Sequence, residues 1–433
     1  MFSTNRRKIL QMMGAGGAAS AMLTAGCSTR TPKFQGAKPQ VVIVGGGFGG
    51  ATCAKYLRRL DPDIEVTLIE YNPRYTTCPG SNWVLGGYRN MEDITHDYDT
   101  LERRYGIKRI NAWVGQINAT SKEVVLADGT VINYDHLVVA PGIDFRWDYV
   151  EGYDEAATEL MPHAWKAGPQ TVNLHNQLRT MKDGGTVIIC PPPMPFRCPP
   201  GPPERASMVA HYLKRFKPRS KVLILDAKEK FSKQGLFMAA WKDLYGDMIE
   251  FVPASQGGLV SRVDPRTRTV YTEDGFTAHK GDVVNFIPAQ KAGNIAHHAG
   301  LTNESGWCPV HQDTFESTIH RDIHVIGDSA VAGVLPKSGH TANNIAKMTA
   351  AAIVAHFREL DLPVPSHVNT CYSLVSPDYG ISIAAVYRLE GGQLVGVPGA
   401  GGLSPAQAPA EFRRQEARYA TGWYDNITAD SFT

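Results

Sequence analysis

The sequence predicts an α/β protein: two βαβ domains of the dinucleotide-binding type, followed by a small C-terminal domain. Three observations carry that prediction. QVVIVGGGFGGATCAKYLRRL (40–60) reads as a buried apolar strand, a glycine turn and an amphipathic helix, and IEVTLIE (64–70) follows as a second strand. GGTVIIC (184–190) and KVLILDAK (221–228) read as two strands of a second such unit. Between and after them, YDHLVVAPGI (134–143) reads as a strand ending in a Pro-Gly turn, and IHVIGDSA (323–330) as one that delivers Asp328 beside a glycine.

In the first unit each glycine has a separate task. Gly45 permits the tight turn, Gly47 lets the backbone approach a pyrophosphate, and Gly50 lets helix and strand pack closely. The helix start then offers free N–H groups and a positive dipole to phosphate. Glu70, closing the second strand, is placed to bind ribose hydroxyls.

Together the glycine unit, the Pro-Gly strand and the Gly-Asp strand resemble the FAD-binding domain of glutathione-reductase-like flavoproteins. The resemblance implies that Asp328 contacts the ribityl and pyrophosphate region of FAD. It also implies a discontinuous FAD domain over residues 37–150 and 285–365, interrupted by a second Rossmann-like domain over 151–284. Residues 1–36 are then a signal and linker, and 366–433 a C-terminal domain.

The second unit lacks a phosphate cradle. Where its glycine turn belongs stands PPPMPFRCPPGPPERAS (191–207). Proline has no N–H to donate and fixes φ, whereas an anion turn needs free amides and glycine-like freedom. No NAD site is expected here.

Of the seven cysteines, Cys53 and Cys190 fall in a helix and an apolar strand and read as buried structural thiols. Cys308, in GWCPVH, belongs to no interpretable motif. Cys198 sits among prolines at the carboxyl end of a strand, the edge where ligands bind in open α/β sheets. Cys371 lies in HVNTCYSLVSPDYG among turn formers and polar residues. Their separation in sequence leaves open whether they meet.

PFRCPPGPPERAS, HAWKAGPQT, GLTNESGWCPV, TFESTIH, PKSGH, NTCYS and GWYDNI together resemble the flavoprotein subunit of flavocytochrome c sulfide dehydrogenase. The resemblance implies a redox-active disulfide between Cys198 and Cys371 beside the flavin, opened by hydrosulfide. It also implies FAD attached by a thioether to Cys78 of YTTCPGSN, although Pro79 and Gly80 depart from the bulkier residues expected there; noncovalent FAD is the alternative. Glu204 is either a proton shuttle for the sulfurs or an ordinary acid at a helix start. Lys337 either sets positive charge near the flavin N1/C2 edge or is a surface lysine.

The resemblance further implies electron transfer to a c-type cytochrome subunit. This chain has no C-x-x-C-H, so haem is expected only on the partner. The competing functions are a sulfide:quinone oxidoreductase and a redox helper that reactivates a thiosulfate-oxidising complex. In the tail, Phe412, Tyr419, Trp423 and Ile427 form a stripe at roughly helical spacing, expected to pack on protein rather than enter a bilayer.

Composition bounds these readings. The 433 residues carry a formal charge of +2, but the chain has no acid before Asp61, so its body is near neutral and nucleic acid is not an expected partner. Arg6 and Arg7 open a short Gly/Ala-rich stretch that reads as a twin-arginine signal, so a periplasmic location is expected, with no membrane span in the mature chain. Cys27 is a candidate lipid attachment point. The scattered histidines, His297 and His298 included, lack metal-ligand spacing and read as structural or surface groups.

Overall fold

The computed structural model describes residues 37–433 apart from Pro363. The twin-arginine leader and Cys27 lie outside the described residues. The principal elements are β1 (Gln40–Val44), α1 (Phe48–Leu60), β2 (Glu65–Ile69), the short helix α2 (Ser81–Leu85), β3 (Lys108–Ile110) and β4 (His136–Val139). Then come β5 (Thr186–Cys190), α3 (Gly201–Phe216), β6 (Lys221–Leu225), α4 (Gln234–Tyr245), β7 (Ile249–Val252) and β8 (Val283–Phe286). They are followed by β9 (Ile323–Val325), α5 (Gly339–Phe357), three long strands β10 (Ser366–Ser376), β11 (Tyr379–Glu390) and β12 (Gln393–Leu403), and α6 (Ala410–Phe432).

The fold is α/β, with two parallel sheets and a small C-terminal unit. The first sheet has the order β9-β4-β1-β2-β3, so the chain leaves it after β4 and returns only at β9. The second has the order β7-β6-β5-β8, all parallel. Both are covered on two faces, which is why β1 and β5 read as unbroken apolar runs rather than alternating ones. Each fully buried valine or isoleucine contributes about 1.5–3 kcal/mol.

Helix α1 packs directly against α5. Close approach of α1 to β1 is possible because Gly50 has no side chain: a Cβ there would lie 1.8 Å from the Gly45 carbonyl oxygen. At the far ends of α1 and α5, Asp61 accepts from the buried Arg358 guanidinium at 2.6 Å.

Strands β10-β11-β12 form an antiparallel sheet, and α6 packs against β11. The expected tail stripe needs correction here. Phe412 and Tyr419 are exposed, while Ala417, Ala420, Tyr424, Ile427 and Phe432 face inward. The cause is Gly380 of β11, which runs so close to the helix that a Cβ on it would meet the Ala417 nitrogen at 2.4 Å. Only small side chains fit at that crossing. Among the described residues no helix is long and apolar enough to cross a membrane.

Candidate active site

At the carboxyl edge of the first sheet a long cleft is lined by Gly45, Gly47, Glu70, Gly142 and Asp328, with Cys78 at one end. Gly45 adopts φ +99°, and a Cβ there would strike the Ala140 carbonyl oxygen at 2.3 Å. Helix α1 starts from Gly47 with no side-chain cap and no acid in its first turn. Its leading N–H groups are left for an anion. Glu70 accepts from Gly46 N at 2.7 Å and Asn72 N at 2.9 Å, which holds its carboxylate at the cleft wall. Asp328 lies 3.7 Å from Arg197 through one oxygen, while its other oxygen is buried without a partner.

A second cavity is lined by Cys78, Cys198, Glu204, Cys371 and Trp423 among others. Cys78, Pro79, Arg197 and Gly339 line both, so the cleft and the cavity share one wall. The structure therefore brings together all three cysteines singled out in the sequence, and Glu204 with them. All three are free thiols here.

The proline loop places Cys198. It sits at φ +59°, a left-handed conformation, pinned by its N–H to the Lys337 carbonyl at 2.7 Å and by its own carbonyl to Gly201 N at 2.8 Å. Helix α3 then begins with Pro202 and Pro203 in its first turn, where the missing N–H groups cost nothing. Cys371 projects from β10, within 3.3 Å of the Asn369 amide nitrogen. Burial pushes both thiols up; Cys371 and Glu204 raise Cys198 further, whereas Lys233 and Asn369 pull Cys371 part of the way back.

Glu204, in the first turn of α3, accepts from Leu374 N at 2.9 Å, Asn82 Nδ2 at 2.9 Å and Trp83 Nε1 at 3.2 Å. Burial raises its pKa, and those three donors pull it part of the way back. A carboxyl so balanced is suited to exchange a proton with a neighbouring sulfur.

Sequence reasoning missed Lys233. At φ +61° it starts α4, and its ammonium donates to the Cys371 carbonyl at 3.0 Å and to Ser373 Oγ at 2.8 Å. Burial lowers its pKa to about 8, while Cys371, Glu204 and Cys198 oppose the fall. A cation this well buried stabilises any anion formed on the adjacent sulfurs. Nothing in FSKQG marks it, because its partners are more than a hundred residues away.

Arg205 is also new. Its buried guanidinium donates to Asn82 Oδ1, Asn285 Oδ1 and the carbonyls of His163 and Ala164, and lies 4.8 Å from the Trp165 ring. It fastens the cavity wall. The indole N–H groups of Trp165 and Trp423 have no partner among the described residues.

Lys337 is placed differently from the expectation. Its ammonium donates to the carbonyls of Asp328 at 2.6 Å and Ala330 at 2.9 Å and stacks 3.9 Å over Trp307. It lines neither cavity. Two carbonyls and an aromatic face hold the charge behind the wall, from which only the Lys337 carbonyl reaches the site, on Cys198.

Comparison with known proteins reads the same regions. Residues 39–167 match the family description "Pyridine nucleotide-disulphide oxidoreductase". Residues 171–288 match "Sulfide dehydrogenase (flavocytochrome c) flavoprotein chain, central", and 363–432 match "Flavocytochrome c sulphide dehydrogenase, flavin-binding". The flavoprotein chain of sulfide dehydrogenase (flavocytochrome c) from Chlorobaculum thiosulfatiphilum is 64% identical over 45 residues, which are 10% of this chain and 94% of that sequence. The chain belongs to this family.

Members of the flavocytochrome c sulfide dehydrogenase family share their fold with other flavoenzymes. The structure of sulfide:quinone oxidoreductase from Aquifex aeolicus superimposes with a TM-score of 0.70 at 19% identity, covering 91% of each chain. In sequence, sulfide-quinone reductase of that organism is 34% identical over 120 residues, 28% of each protein. The chain thus matches little more than a quarter of that relative's length. Putidaredoxin reductase, in its covalent complex with putidaredoxin, superimposes with a TM-score of 0.60 at 18% identity, over 92% of this chain and 99% of that one.

Proposed function

We propose that this flavoprotein oxidises sulfide at a Cys198–Cys371 disulfide and hands the electrons through FAD to a c-type cytochrome subunit. The observation that carries the reading is the shared wall: a cavity lined by both thiols and Glu204, with Lys233 bonded behind it to the Cys371 carbonyl, adjoins the glycine cleft across Cys78, Pro79, Arg197 and Gly339.

The cleft fits FAD. The side-chain-free path at Gly45, Gly47 and Gly50 and the uncapped start of α1 suit its pyrophosphate, Glu70 its ribose, and the unpartnered Asp328 oxygen a hydroxyl donor. Cys78, on the common wall, is the residue for a thioether. When bound, FAD takes electrons in pairs and releases them singly.

The chain's own part is sulfur chemistry. Hydrosulfide attacks one sulfur of the disulfide; a new S–S bond forms, the old one breaks, and the products are a persulfide on one cysteine and a thiolate on the other. Lys233 offsets the negative charge, and Glu204 exchanges the proton. The walls contributed by Trp83, Trp165 and Trp423 keep the site poor in water.

Substitution of Cys198 or Cys371 by serine is the test. Sulfide turnover should fall by about a thousandfold or more while flavin stays bound; retained turnover contradicts the relay. With intact protein, detergent-free reduction of cytochrome c supports the proposed acceptor, whereas quinone reduction alone points to the quinone-linked reading. Yellow colour staying with acid-precipitated protein supports the Cys78 thioether. The export reading, periplasmic by the twin-arginine route, rests on the leader and is checked by cell fractionation.

A further inference from the structure

At the opposite edge of the first sheet, away from the cleft, His136 opens β4, Asp322 immediately precedes β9 and His356 stands in the last turn of α5. One donor atom from each of the three lies within 4.8 Å of the other two. The sequence hid this cluster because three separate elements contribute to it.

Hydrogen bonding decides which atoms of the cluster carry lone pairs. The Thr314 carbonyl can only accept, so His324 Nδ1, 3.0 Å away, carries the proton. The other nitrogen of neutral His324 is then an acceptor, and His136 Nδ1 donates to it across 3.2 Å. His136 Nε2 is left with a lone pair. It faces the Asp322 carboxylate at 3.8 Å, too far for a hydrogen bond. Two acceptors face each other beside the His356 imidazole, one of whose nitrogens carries a lone pair in either neutral tautomer, and a cation between the three would satisfy them. The relay from Thr314 through His324 to His136 is the arrangement that fixes the ring of a metal-binding histidine.

We propose that His136 Nε2, Asp322 Oδ1 and His356 bind one borderline divalent transition-metal ion, of which Zn²⁺ is the probe. Two imidazoles and a carboxylate match its ligand preference, with solvent as the fourth ligand because His356 is exposed. Closing the donors to about 2.1 Å from the metal requires a modest swing of the exposed His356 ring, whose centroid lies 4.8 Å from that of His136. Lys122 holds the other carboxylate oxygen at 2.7 Å, so its positive charge weakens the site without occupying it. The ion would tie together β4, the turn before β9 and the end of α5, the helix whose first residue, Gly339, belongs to the wall between cleft and cavity. That puts it about 25–30 Å from the sulfurs along the helix, so it takes no part in turnover.

Isothermal titration of the flavin-loaded protein with Zn²⁺ tests this. One saturable site per chain is expected, weakened at least about tenfold by His356→Ala and by Asp322→Asn. Lys122→Met should tighten it, and His356→Ala should leave sulfide turnover unchanged. Absence of saturable binding overturns the proposal. So does binding that persists unchanged in His356→Ala, whether or not it inhibits turnover, since the zinc would then sit elsewhere, for instance on the cavity thiols.

Discussion

The two parallel sheets are built alike and end differently. Each has a central apolar strand, a turn at its carboxyl end and a helix directed back along the sheet. After β1 the turn is Gly45–Gly47, and α1 opens with bare N–H groups. After β5 the connection is rich in proline, and α3 opens with Pro202, Pro203 and the carboxyl of Glu204. The first ending invites phosphate, whereas the second fills the same position with an acid and a cysteine. One architecture thus serves two chemistries by changing about ten residues at a strand end.

Alanine at one glycine from each ending breaks the comparison most sharply. Gly50→Ala would set a Cβ 1.8 Å from the Gly45 carbonyl. Backbone has to move, with an expected cost of about 3 kcal/mol or more and loss of flavin, read by denaturation and by the protein-bound flavin spectrum. Gly201→Ala would place its Cβ 2.6 Å from the Trp165 ring and 3.1 Å from Cys198 Sγ. Flavin should remain while sulfide turnover falls, by about tenfold, because the added methyl group shifts the sulfur. Flavin loss in both variants would erase the distinction.

A smaller effect tests the cation in the second ending. The folded pKa of Lys233, about 8, lies below its ordinary value of 10.5. Its contribution to stability is therefore fully present above pH 10.5 and is lost as pH falls through about 8. The stability difference between wild type and Lys233→Met should rise across that interval, by up to about 1.4 kcal/mol per pH unit. A flat difference, measured by urea unfolding, would show that the ammonium is not held as described. The smallest expected effect is none: anaerobic NADH should leave the flavin oxidised, because the second ending offers a nicotinamide nucleotide no cradle.

What was legible in the sequence was local. The glycine turn, Glu70 and the placement of Asp328 and Cys198 at strand ends follow from patterns within about thirty residues of chain. Sites assembled across elements were legible only where the family resemblance brought their residues together, as for Cys198 and Cys371, and otherwise not. Lys233 meets Cys371 through a left-handed residue at a helix start, and His136 meets His356 only because α5 spans the sheet. Where the Lys337 ammonium is held was not legible either, because nearness to Asp328 in sequence does not say which way a side chain points. In the tail, large aromatics suggested the buried face, but the backbone of Gly380 reserves that face for Ala417 and Ala420.

The docking of α6 has a consequence for how the protein is made. Phe432 lies against Phe48, Tyr75 and His96, with ring centroids 5.8, 5.5 and 5.2 Å away, and Ser431 bonds to Thr52 of α1. Phe48 and Tyr75 are themselves cleft residues. A ribosome producing this chain finishes the glycine turn hundreds of residues before the segment that braces it. Flavin is therefore expected to bind stably only once Phe432 has been made and docked, and a variant that lacks the last turn of α6 should lose its yellow colour.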